Sequence, residues 1–252
     1  MGAALARPAV RSAAGWLVLL VLVTAAGAAA VVANVWKRDL RVERVRTEGN
    51  QIVASAEILR LAAIGRDVRL FDLDLAAVEK RVRAHAFIKV AEVTRSVPDR
   101  VTIAVVERSP VAMVAGEKLM YLDADGVVLP ALKSEELFDL PVITGTLPGS
   151  EITPGARVRA PEVLSALGVI AIAGRMGNEA YHRISEVHIR PDRQLVLTTA
   201  ENGVSVVLGR EDVGRRLVKF EGFWRDIVSR RGAQELESVD LRYEDLVVAR
   251  WK

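Results

Sequence analysis

The stretch Val90-Ala-Glu-Val-Thr-Arg-Ser-Val-Pro-Asp-Arg-Val-Thr-Ile-Ala-Val-Val106 decides how the first half of this chain is read. Val97-Pro98-Asp99-Arg100 is turn chemistry, because proline pre-sets its own φ and aspartate bonds the backbone just ahead of it. On either side the residues suit a strand. In the second segment Val101, Ile103 and Val105 fall on one face, with Thr102, Ala104 and Val106 on the other. Residues 90–96 and 101–106 are therefore predicted to be consecutive strands.

Upstream, residues 40–47 also read as a strand, closed by Glu48-Gly49-Asn50, where glycine and asparagine tolerate turn geometry. Ser55 is placed to cap a short helix with Ile58, Leu59 and Ala62 on one side. Asp74 is placed to cap another, in which Leu75, Val78 and Val82 recur at helical spacing. The order over residues 40–108 is strand, helix, helix, strand, strand, a small α+β unit.

After Glu107-Arg108-Ser109-Pro110 the strands become shorter. Residues 119–122 and 127–129 flank Asp123-Ala-Asp-Gly126, a hairpin signature. Pro161 suits the first turn of a helix through Leu164, Leu167 and Ile170, with a stop at Gly174. Residues 194–199 and 204–208 flank Asn202-Gly203, the strongest short hairpin signal. A helix over 212–228 would carry Val213, Leu217, Phe220, Trp224 and Ile227 on one stripe. Strands at 238–242 and 246–251 close the chain.

Further upstream, Ser12 to Trp36 contains no charged residue. About 20 apolar helical residues cross a bilayer core, so this run is long enough. Trp16 and Trp36 bracket it, as indoles favour the two interfaces. A cleaved signal peptide is the competing reading: Arg7 and Arg11 form a basic start and Ala26-Gly-Ala28 a small-residue site. Val31, Val32 and Val35 continue the apolar run past that site, which favours an uncleaved anchor. Lys37, Arg38, Arg41, Arg44 and Arg46 follow the run and oppose the positive-inside rule. That rule is weakest for long translocated segments, so the expected orientation is N-terminus inside, with the remainder exported.

Composition narrows the chemistry. The 252 residues are 51% hydrophobic and 27% charged, with 3 histidines and no cysteine. Disulfides, thiolate metal sites and cysteine nucleophiles are excluded. The formal charge is +3; with Arg7 and Arg11 set aside the rest is nearly neutral, which argues against nucleic-acid binding by net charge.

Candidate motifs read more simply as structure. In Asp123-x-Asp125-Gly126 the glycine stands at position four and Ser134 at position twelve, unlike a calcium loop with glycine at six and glutamate at twelve. Gly174-Arg-Met-Gly177 is similar to the GxxG loop of RNA-binding KH domains, but a helix end followed by a loop explains it better. His182 and His188 have no carboxylate pair at ligand spacing, and His85 suits a helix end. Asp72 and Asp74 open a helix, where acids favour the dipole. No G-x-S-x-G, H-E-x-x-H, S-x-x-K or P-loop pattern occurs, so no enzyme, cofactor or metal is expected. The last strand, Leu246-Val-Val-Ala-Arg-Trp251, is apolar on both faces. At a sheet edge it would expose unpaired backbone beside apolar side chains, where a partner strand could add; in the sheet centre it would fill the core.

Several pieces in register carry a family resemblance. They are Val45-x-x-x-Gly49-Asn50, Leu70-Phe-Asp-Leu73, Val93-x-Arg95-x-x-Pro98 and Ile103-x-Val105-x-Glu107-Arg108-x-Pro110-Val-Ala112. Asp123-x-x-Gly126, Leu140-Pro141-x-x-x-Gly145, Leu208-Gly-Arg210 and Val239-Asp-Leu-Arg-Tyr243 continue the series. In this order the chain resembles the bacterial cell-division FtsQ (DivIB) family over nearly its whole length.

The resemblance implies a short cytoplasmic tail (1–11), a transmembrane helix (12–36), a POTRA domain (40–108) and a β domain (109–252) with helices packed on an antiparallel sheet. It implies a non-catalytic, bitopic inner-membrane scaffold at the septum, with its C-terminal domains periplasmic, that helps control septal peptidoglycan synthesis. FtsB- and FtsL-like proteins would be recruited by strand addition at the last strand. By position, Tyr243 and Trp251 match aromatic contacts, Arg242 and Arg193 match basic contacts for an acidic partner, and Leu246 and Val248 lie on the receiving strand. Asp245, Leu246 and Val247 replace small residues expected there, as does Arg250. Gly49, Asn50 and Ile52, with strand 101–106, would form a second surface for upstream partners. The runner-up function is an envelope POTRA protein for polypeptide transport or chaperoning. Only about 140 residues follow the POTRA unit, too few for a large secretion barrel.

Overall fold

The computed structural model describes residues 10–115, 118–131, 139–146 and 152–252. Arg7, most of the expected cytoplasmic tail and Ser134 lie outside the described residues. The chain divides into two compact units, Met1–Val82 with Ala91–Val105, and Arg83–Val90 with Val106–Lys252.

The apolar run forms one uninterrupted helix, α1 (Val10–Asp39, 30 residues). At 1.5 Å per residue it is about 45 Å long, more than a bilayer core requires. Leu17 to Val23 are all largely exposed along it. Its window Gly15–Val32, this apolar and with none of it buried among the described residues, is suited to lipid and fits a membrane anchor.

The small α+β unit has the expected order: β1 (Arg44–Glu48), α2 (Ser55–Ala62), α3 (Leu75–Val82), β2 (Ile88–Ser96) and β3 (Arg100–Glu107). β3 is the middle strand of the sheet β1-β3-β2, and β1 runs parallel to it with Val45 opposite Val101 and Thr47 opposite Ile103. Val101, Ile103 and Val105 are buried, as the alternation requires, together with Ile58 and Ala62 of α2 and Val78 and Val82 of α3. Asp74 caps α3, its Oδ1 accepting the Ala77 N–H at 3.0 Å. Ser55 does not cap α2. It is the first helical residue and follows Ala54 in extended conformation. The Ser55 hydroxyl instead accepts hydrogen bonds from Thr47 Oγ1 at 2.9 Å and Asn50 Nδ2 at 3.2 Å, tying the helix start to β1.

The larger unit is built on a nine-stranded sheet ordered β12-β11-β10-β9-β8-β7-β4-β5-β6. Its strands are β4 (Pro110–Ala115), β5 (Leu119–Asp123), β6 (Val128–Leu129), β7 (Val142–Gly145) and β8 (Ile184–Ile189). Then follow β9 (Leu195–Thr199), β10 (Ser205–Gly209), β11 (Leu236–Asp240) and β12 (Val248–Trp251). The expected antiparallel sheet is mostly so, but β4 with β7, β7 with β8 and β10 with β11 pair in parallel. Parallel neighbours need a long crossover, and the helices supply two of them. α4 (Pro161–Met176) and α5 (Asn178–His182) lead from β7 to β8, and α6 (Val213–Phe223) from β10 to β11.

Two helix details differ from the sequence reading. α4 passes Gly174 and ends at Met176, where the Gly177 N–H bonds the Ala173 carbonyl at 3.2 Å. α6 runs into one π-helical turn, Trp224–Val228. A π turn lengthens the repeat by about one residue, so Val228 rather than Ile227 reaches the core. Val228 is buried while Ile227 is 47% exposed. Leu217, Phe220 and Trp224 face inward as expected, with Phe220 and Trp224 meeting edge to face at 5.5 Å.

The Asp123–Gly126 segment is the hairpin turn that its composition suggests. Asp123 Oδ1 accepts the N–H groups of Asp125 and Val127 at 2.9 and 2.8 Å. Its Oδ2 accepts from Arg108 at 2.5 Å. That carboxylate is fully used by protein donors.

Candidate functional site

The site is built where the sheet ends. β12 pairs antiparallel with β11, placing Val248 opposite Asp240, Ala249 opposite Val239 and Trp251 opposite Leu236. Among the described residues no strand follows β12 in the sheet, so its other side is an edge. Strand alternation then sorts the side chains. Val247, Ala249 and Trp251 lean on the core, while Leu246, Val248 and Arg250 are exposed. The apolar character of both faces seen in the sequence thus has two causes: one face packs inward and the other is left bare.

Tyr243, Leu246 and Val248 are 52%, 64% and 49% exposed. All three lie on β12 or in the five residues just before it. Trp251 differs from them: it is half-buried against the core, and the Arg231 guanidinium lies 3.9 Å from the centre of its ring. Its aromatic face is therefore already engaged by a cation within the chain.

The basic residues are also paired. Arg242 holds Asp240 through Nη2 at 2.6 Å and Nε at 3.0 and 3.1 Å, and it reaches Gln194 Oε1 at 3.3 Å. This guanidinium holds the Asp240 carboxyl below the usual carboxylate range, and Asp240 raises the Arg242 pKa in turn. Arg193, at φ +65, forms an ion pair with Glu162, its Nε 3.0 Å from Oε1. The bond from Arg242 to Gln194 brings the neighbourhoods of Arg193 and Arg242 together. Arg193, Glu162 and Arg210 line one shallow cleft at the start of α4. An acidic partner would meet two arginines that each already hold a carboxylate, so it would exchange with or share those bonds rather than find free cations.

Residues that the sequence does not reveal hold this region in place. Lys219 Nζ on α6 donates to the carbonyls of Tyr243, Glu244 and Leu246 at 2.6, 3.2 and 3.2 Å. One turn earlier, Arg216 donates from Nη1 to the Leu208 carbonyl at 2.6 Å and from Nη2 to that of Arg242 at 3.5 Å. Gly209, at φ +79, makes room for both arginines: a Cβ there would lie 2.5 Å from Arg216 Nη1 and 3.2 Å from Arg242 Cγ. The spacing of Arg216 and Lys219 marks one helix face. Nothing in the sequence names backbone carbonyls as their targets.

In the small unit, Gly49 and Asn50 have local roles. Gly49 sits at φ +82, and a Cβ would lie 2.2 Å from the Val105 carbonyl oxygen, so no other residue fits. Asn50 Nδ2 donates to the Val53 carbonyl at 2.9 Å. Ile52 is half-buried beside them. Because β3 is central, its outward residues, not its backbone, are what a partner could meet.

An anchor-like helix followed by a POTRA-type unit and a β unit gives the architecture of a membrane-anchored POTRA protein. The comparisons specify it. Residues 40–108 match the FtsQ-type POTRA domain model, and residues 111–242 match the model for the C-terminal part of the cell division protein FtsQ/DivIB. A cell division protein FtsQ from Rhodothermus marinus is 31% identical over 252 residues, covering 96% of this chain and 90% of that protein. One from Myxococcus fulvus is 32% identical, covering 80% of this chain and 70% of that protein. The chain belongs to the FtsQ/DivIB family of cell-division proteins. The C-terminal model match ends at Arg242, so Tyr243 and β12 lie just past it.

Proposed function

We propose that this chain is a non-catalytic, bitopic scaffold of the division complex that captures an FtsB/FtsL-like partner by strand addition at β12. The observation that carries the reading is the edge of β12, unpaired among the described residues, with Tyr243, Leu246 and Val248 exposed on or just before the strand. Backbone bonds along an edge give affinity with little dependence on sequence, and side chains beside it select the partner. Apolar side chains on the incoming strand would meet Leu246 and Val248. An acidic residue flanking that strand would meet Arg242 and Arg193. Tyr243 is the expected hot spot, since aromatics and arginines dominate interface energies. Trp251 contributes by fixing the end of β12 through its packing on the core and on Arg231.

In this reading α1 spans the inner membrane with the N-terminus inside, and both folded units work in the periplasm at the septum, where partner capture restrains septal peptidoglycan synthesis. The POTRA unit, around Gly49, Asn50 and Ile52, would meet upstream division proteins. Depletion tests the role. Cells losing the protein should grow as filaments without septa, and a fluorescent fusion should form midcell bands. Normal division on depletion, or an even envelope signal, would remove the proposal.

A further inference from the structure

We infer that Lys219, assisted by Arg216, is a positioning residue for partner capture: it clasps the backbone of the loop between β11 and β12 so that the receiving edge is formed before the partner arrives. The inference rests on the strand-addition reading above. α6 is a fixed base, because Leu217 and Phe220 between and beside the two cations are wholly buried. An ammonium has three N–H donors, and here each has an acceptor: the carbonyls of Tyr243, Glu244 and Leu246 at 2.6, 3.2 and 3.2 Å. Three carbonyls converging on one nitrogen curl the chain around it. Their side chains are left outside, and Tyr243, Glu244, Asp245 and Leu246 are all exposed.

The contact is made to backbone alone, so it holds the loop whatever side chains the loop displays. The larger residues Asp245 and Leu246 can stand at this position without loss of the geometry that starts β12. Arg216 extends the same grip toward the Arg242 carbonyl at 3.5 Å and anchors the end of β10 through Leu208. Hydrogen bonds from a charged donor are stronger than neutral ones. A loop held this way does not have to be ordered at the moment of binding, which is the benefit of preorganisation.

The test uses the full chain in lipid nanodiscs and a synthetic FtsB-like peptide carrying the strand-forming segment. Lys219→Met keeps the aliphatic stem and removes the donors. It should weaken peptide binding about tenfold, chiefly through slower association, and speed hydrogen exchange at the amides of residues 244–248. Lys219→Arg, which keeps the charge and donors, should recover a large part of the affinity. A purely structural role would lower the melting temperature without changing the affinity of the folded protein, and that result overturns the inference. Tyr243→Ala separates this from the underlying reading. If Tyr243→Ala abolishes binding while Lys219→Met leaves it unchanged, the clasp is wrong and strand capture stands. If Tyr243→Ala also leaves binding unchanged, strand capture at this edge fails and the positioning role falls with it.

Discussion

The two ends of the nine-stranded sheet are finished in opposite ways. At one end β6 is two residues long, Val128 and Leu129, both completely buried. The following chain covers it: the Val128 N–H bonds the Ala156 carbonyl at 2.8 Å, and the Gly155 N–H bonds the Val128 carbonyl at 2.8 Å. At the other end β12 is longer and half-exposed, with apolar residues beside it and, among the described residues, no further strand. Proteins ordinarily shorten, charge or cover their edges, because a bare edge invites pairing with another chain. One chain that protects one edge and leaves the other open has the means to close both. The contrast between the two ends is what the strand-capture proposal rests on.

Substitutions at the two ends should therefore fail in different ways. Val128→Asp puts a carboxylate into the covered end and should cost about 3 kcal/mol or more of stability, read as a large fall in the melting temperature. Tyr243→Ala at the open end should leave melting nearly unchanged and cost about 2 kcal/mol or more of binding. Val248→Asp, exposed on the edge strand, should also spare the fold and weaken partner binding by about tenfold, less than the loss of Tyr243. If Val248→Asp destabilised the free protein as Val128→Asp does, the contrast between the ends would disappear.

The smallest expected effects are in the pH dependence, and two carboxylates should respond with opposite signs. Asp240 is held below its ordinary pKa by the Arg242 hydrogen bonds. Its contribution is present above the unfolded value of about 3.9 and is lost as pH falls through the folded value. Stability measured against Asp240→Asn should therefore converge with that variant only in acid. Glu221 is pushed up by burial, although Arg183 beside it at 3.2 Å opposes the shift. Its contribution is complete below its unfolded pKa and is lost as pH rises through the folded one. Against Glu221→Gln, wild type should lose relative stability as pH rises. Parallel pH curves for either pair would contradict the assigned direction.

Much of the fold is legible in the sequence where one local rule decides the outcome. The alternation of Val101, Ile103 and Val105, the Asp74 cap and the Asn202-Gly203 turn each depend on a few neighbouring residues, and each is found in the structure. Elements that depend on distant chain are less legible. The parallel joins of β7 with β8 and β10 with β11 follow from where α4 and α6 return the chain, which periodicity does not encode. The π turn at Trp224–Val228 shifts the inward face by one residue, so Ile227 reads as core in sequence and is exposed in the structure. Ser55 has the chemistry of a cap, but its hydroxyl bonds Thr47 across the turn instead.

The candidate site divides along the same line. Tyr243, Leu246 and Val248 are close in sequence, on or just before one strand, and each is exposed, which strand alternation near a chain segment of this kind makes legible. That Arg193 and Arg242 each hold an acid of their own, and that Lys219 grips the loop, depends on side chains and carbonyls brought together by the fold. No spacing rule reports such contacts.

Hydrogen exchange along β12, in the full chain in nanodiscs with and without the FtsB-like peptide, tests the open-edge account most directly. The account predicts that the edge-facing amides of Val248–Trp251 exchange readily in the free protein and become strongly protected when the peptide binds. Strong protection already present in the free monomer, or no gain on binding, would contradict it.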